Sequence, residues 1–94
     1  MIDQNLHNRA MRKVATLNES LSARHGVEID FNSGVDHLVS VLKHYSKKRE
    51  HLLVHLGEGA ALKHPDYTKA VLISESVRMY LREVAPKRVR KKKH

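Results

Sequence analysis

This chain has no cysteine and no tryptophan, and its only aromatics are Phe31, Tyr45, Tyr67 and Tyr80. Without cysteine, disulfides, thiolate metal sites and a cysteine nucleophile are excluded, and the redox compartment is left open. With so few aromatics the core is expected to be modest and mainly aliphatic. No stretch approaches the ~20 apolar residues of a membrane span, and the N-terminal MIDQNLHNRAMRKV has no apolar signal region, so a cytoplasmic location without membrane contact is expected. A length of 94 residues suits one domain that folds alone but does not easily enclose a deep substrate cavity.

Acidic residues are also scarce near the C-terminus. The net charge is +8 with histidine neutral, and six of the cations, Lys87, Arg88, Arg90, Lys91, Lys92 and Lys93, stand in PKRVRKKKH with no acid among them, which leaves +2 for the rest. The chain therefore divides into a mildly basic domain over residues 1–85 and a strongly basic tail over 86–94, the latter expected to be disordered.

What is abundant is helical periodicity. Leu6, Ala10, Val14, Leu17 and Leu21 repeat every three or four positions and predict a one-sided helix near 3–24, ended by Gly26. VEIDF follows, alternating Val27, Ile29 and Phe31 with acids, and reads as a short extended segment that lies over the helices or pairs with a second copy. The stretch 31–57 looks like the central element of the chain. Asn32 or Ser33 can cap a helix over 33–56, Asp36 suits its positive end, and Val35, Leu38, Leu42, Tyr45, Leu52 and Leu56 line one face. The segment GEGAALKHPDY is expected to be a loop with a short turn near 60–63. Pro65 then opens a helix over 65–84, stopped by Pro86. This last helix carries Ile73, Val77, Tyr80 and Leu81 on one face and Leu72 and Met79 nearly opposite, a pattern that points to burial on more than one side. The expected fold is all-α, a three-helix domain with a short extended segment between helices 1 and 2.

A histidine-rich stripe runs beside the apolar face of the central helix, through His37, His44, Lys48, His51 and His55. His51 and His55 form HxxxH, but Leu52 occupies the position where zinc proteases carry glutamate, and a third ligand would have to come from His44, Glu58 or His64, so the ligand set is incomplete and no metal site and no cofactor are expected. Serines lack a nucleophile-elbow context, carboxylates are scattered singly, and GEG lacks the rest of a phosphate loop. The chain is not expected to be an enzyme. Arg49 is the outlier, because it falls on the apolar face between Tyr45 and Leu52; either its stem lies along the core or it marks an intermolecular ion pair.

These features predict a small nucleic-acid-associated binding protein. Its phosphate contacts would come from the six tail cations and from Lys43, Lys47, Lys48, His44, His51 and His55 on the central helix. The alternative is a small helical adaptor that binds an acidic or other protein partner through the last helix. A homodimer burying Leu72 and Met79 is expected from the two-sided apolar pattern.

Overall fold

The computed structural model describes residues 3–84 of the chain. Four helices account for most of it: α1 (Gln4–His25), α2 (Val35–Leu56), α3 (Glu58–Lys63) and α4 (Pro65–Val84). The all-helical expectation holds, and there is no strand among the described residues. VEIDF is a connector rather than a strand, with Phe31 buried and Val27 and Ile29 packed against the core.

The ends of the helices follow from local chemistry. Asp3 accepts a hydrogen bond from Asn5 N–H through Oδ1 at 3.0 Å and caps α1. At the other end Gly26 takes a left-handed conformation (φ 63°), from which its N–H reaches the carbonyl of Ser22 at 3.1 Å. α2 starts two residues later than expected, at Val35, with no side-chain cap. Asn32 and Ser33 are instead folded around Asp30: its Oδ1 accepts from Asn32 N–H at 3.0 Å, and its carbonyl accepts from Ser33 Oγ at 2.8 Å. The expected loop after Gly57 contains α3, a single six-residue turn of helix whose Ala61 is buried. α4 begins at Pro65 as expected, and His64 Nδ1 accepts the Asp66 N–H at 3.1 Å.

The hub of the fold is α4, not α2. Eight of its residues are buried, whereas α2 buries only Leu38 completely. α1 and α2 pack on opposite flanks of α4 and not on each other, so the molecule is a nearly single-layered body of 40 × 36 × 18 Å. This arrangement accounts for the two-sided apolar pattern of α4. Leu72, Ser76, Met79 and Glu83 fall on one stripe at helical spacing, and that stripe faces α1: Ser76 Oγ donates to Asn18 Oδ1 at 2.8 Å, and Glu83 pairs with Lys13 at 3.3 Å and Arg9 at 3.5 Å. Leu72 and Met79 are half-buried and packed against the core from within one chain. Leu72 and Met79, on which the dimer expectation rested, are therefore half-covered within the chain itself.

At the centre of the core Tyr80 is fully buried. Its ring stacks at a tilt on Phe31, 4.7 Å between centroids, and its hydroxyl shares a 2.7 Å hydrogen bond with His7 Nδ1. Burial raises its pKa above the ordinary tyrosine value. Small residues let the layers approach closely: Ala10, Ala61, Ala70, Ser74 and Ser76 are all fully buried. The two serines satisfy their hydroxyls, Ser74 by donating to the Val71 carbonyl at 3.1 Å and Ser76 through Asn18.

Candidate nucleic-acid interface

α2 is an edge helix with α4 on its inner side, and its outer arc is open to solvent. Lys43, His44, Lys47, His51 and His55 are exposed along it, and Lys48 is half-exposed. His44, Lys47, Lys48, His51, Val54 and His55 line one shallow open groove, in which Glu50 is the only acid. The imidazoles of His51 and His55 lie 4.0 Å apart between centroids with their planes tilted by 46°, as residues one turn apart on a helix face do. His44 meets the edge of Tyr45 at 4.8 Å, and the Tyr45 ring itself turns inward to the core.

What distinguishes this arc is how its cations cluster. On the α1 and α4 side Arg9 and Lys13 pair with Glu83 and Arg78 with Glu75 at 3.3 Å, while Arg12, Arg24, Lys69 and Arg82, which have no such carboxylate among the described residues, are spread over two helices. Arg49, the outlier of α2, turns the same way, its Nη1 donating to Ser74 Oγ at 3.0 Å and to Glu75 Oε2 at 3.3 Å. Its ion pair is intramolecular. Lys43, Lys47 and Lys48 have no carboxylate within ion-pair distance among the described residues. Their charge is therefore available to an outside anion.

No three metal-ligating side chains come together among the described residues. The tail cations Lys87, Arg88, Arg90, Lys91, Lys92 and Lys93 lie outside the described residues. A second depression, lined by Gln4, His7, Phe31, Val35, His37 and Tyr80, lies where the start of α1 meets the first turn of α2. His37 therefore has neighbours from α1 and the connector that the rest of the stripe lacks.

Sequence reasoning missed Val54. It is 75% exposed and stands among the lysines and histidines, and at about 100° per residue it points outward like Lys47. The signal was there in its position, opposite Leu52 and Leu56. The other large exposed apolar side chains, Leu53, Leu56 and Leu62, also belong to this end of the molecule. No protein-family model matches this chain, and no curated protein or solved structure matches it either.

Proposed function

We propose that this chain is a non-enzymatic nucleic-acid-binding protein that grips the phosphate backbone with the outer arc of α2 and with its basic tail. The observation that carries this reading is the cluster of lysines, Lys43, Lys47 and Lys48, without a carboxylate partner among the described residues and within five positions of one another on the open arc of one helix. Lysines held on successive turns at about 1.5 Å rise per residue can follow a line of phosphates, and each phosphate neutralised releases condensed counterions. Six further cations in the tail act as an arm on the same polyanion and supply most of the affinity. Phosphate contacts of this kind are weak and by themselves confer no strong sequence preference, because they carry no base information.

Fluorescence anisotropy of a labelled duplex across a salt series tests it. If about five phosphates are neutralised, log affinity falls with log salt at a slope of about −4 to −5, and truncation after Ala85 flattens that slope. Lys43→Gln and Lys48→Gln should each remove about one further unit of slope without changing thermal stability. Failure of the full chain to bind at about 50 mM salt, where such contacts are strongest, would overturn the proposal.

A further inference from the structure

We infer that α2 is a groove helix, and that the preferred nucleic acid is double-stranded DNA in the B form, read from its major groove. The inference rests on the nucleic-acid reading above and narrows it to one ligand class. Three observations carry it: the edge position of α2, the order of side chains around its outer arc, and the exposure of Val54.

A helix with its side chains measures about 10–12 Å across, and the major groove of B-DNA is about 12 Å wide and 8.5 Å deep. A helix in the middle of a bundle cannot enter it, because its neighbours collide with the phosphate walls. α2 packs on α4 along its inner side, with the short α3 as its only other helical neighbour among the described residues, in a body whose shortest extent is 18 Å, and α1 lies beyond α4. Its outer half is free over the stretch from Lys43 to His55, about 18 Å of helix at 1.5 Å per residue. The major groove of A-form RNA is deep and too narrow for side chains to read, so the same geometry disfavours an RNA duplex. Single strands gain little, since stacking needs an exposed aromatic and Tyr45 is turned into the core.

The side chains are arranged as a groove requires. Placing residues at about 100° each, Lys47, His51 and Val54 form the outermost ridge; His44, Lys48 and His55 lie on one shoulder and Lys43 on the other. The shoulders then meet the two phosphate walls and the ridge meets base edges on the floor. Lys47 offers a donor to guanine O6 and N7, and His51 a ring nitrogen. Val54 gains nothing from a phosphate, yet it is the most exposed of the large apolar side chains described. The thymine methyl is the apolar group that the major-groove floor presents to it. Glu50 falls on the same shoulder as Lys43, two turns further on; repelled by the phosphate wall, it would turn toward the floor, where cytosine N4 is a donor that it can accept from.

The test uses the full chain and three labelled duplexes of about two helical turns with one base order: DNA, the same DNA with every thymine replaced by deoxyuridine, and RNA. Deoxyuridine keeps the B form and removes only the methyl. We expect the thymine duplex to bind roughly fivefold or more tighter than the RNA duplex, with the deoxyuridine duplex between them. Val54→Ser should weaken binding to the thymine duplex severalfold, leave the salt slope unchanged, and have no effect on the deoxyuridine duplex. Because Val54 is 75% exposed, this substitution does not disturb folding. Equal affinity for DNA and RNA duplexes, or a Val54→Ser penalty of the same size on all three, overturns the groove assignment while leaving phosphate binding intact. No binding to any duplex overturns the nucleic-acid reading itself, and this inference with it.

Discussion

The two flanks of α4 were built from similar residues and used differently. Towards α1 several polar groups are matched across the contact with α4: His7 with Tyr80, Asn18 with Ser76, and Arg9 and Lys13 with Glu83. Towards α2 the matching stops after Arg49, and beyond it the lysines, histidines and Val54 turn outward. A helix held on one side only has to be stabilised by that side, and its other face is then free of structural duty. The difference leaves the outer arc of α2, and not its inner face, without a partner in the fold, and that arc is where we propose binding.

The sharpest way to break that division is through the two faces of α2 itself. Leu38 is fully buried and belongs to the core cluster, so Leu38→Ala removes packed methyl groups and leaves a cavity, which should cost about 2–5 kcal/mol. Val54→Ala, on the opposite face, should stay within about 0.5 kcal/mol of the unsubstituted protein. Urea unfolding of both variants measures the contrast directly. A Val54→Ala loss as large as that of Leu38→Ala would mean that the outer arc is part of the fold, and the division proposed above would be wrong.

How much of this could be read from residue order depends on how local each cause is. α4 runs over the residues expected because Pro65 fixes its first turn, and α1 ends where Gly26 supplies a left-handed residue. The start of α2 was misread because Asn32 and Ser33 had two local partners to choose from, and Asp30 won over the helix. α3 was legible only as a short turn near 60–63, because six residues are too few to show a period. The apolar pattern of α4 did reveal burial on two sides, but periodicity does not say whose surface covers the second side. α1 of the same chain does. For the same reason the pairs His7 with Tyr80 and Asn18 with Ser76, separated by 73 and 58 residues, left no trace in any local pattern. In the candidate site the lysines and histidines were legible as a stripe, whereas their lack of partners was not, because it depends on where Glu75 and Glu83 point.

A smaller effect tests the junction between the two flanks. Arg49 bridges α2 to α4 through Ser74 and Glu75, at side-chain exposures of 29% and 36% for the ion pair. Solvent screens such a pair, so Arg49→Met should cost about 1 kcal/mol, mostly from the lost hydrogen bond. Ser74 keeps its bond to the Val71 carbonyl and is not orphaned. Arg49→Lys should recover less than half of the loss, since a single ammonium lacks the planar fork that reaches hydroxyl and carboxylate together. Full recovery with lysine would show that only the charge matters at this contact.

The smallest expected effect bears most directly on what pairing does. Glu83 is 18% exposed and holds Arg9 and Lys13, which are themselves 56% and 55% exposed. Glu83→Gln should therefore lower stability by less than about 1 kcal/mol, and by less still in high salt, where exposed pairs contribute little. The same substitution releases two cations on the α1 side and so mimics there the unpaired state of Lys43, Lys47 and Lys48. If binding depends on which flank the cations occupy, these two should not reach the duplex, because α1 and α2 are separated by α4. The salt slope of DNA binding should then match that of the unsubstituted protein to within about 0.5 units. A slope steeper by about one unit or more would mean that phosphates also run along α1. Unpaired charge, rather than its position on an edge helix, would then be what the polyanion selects.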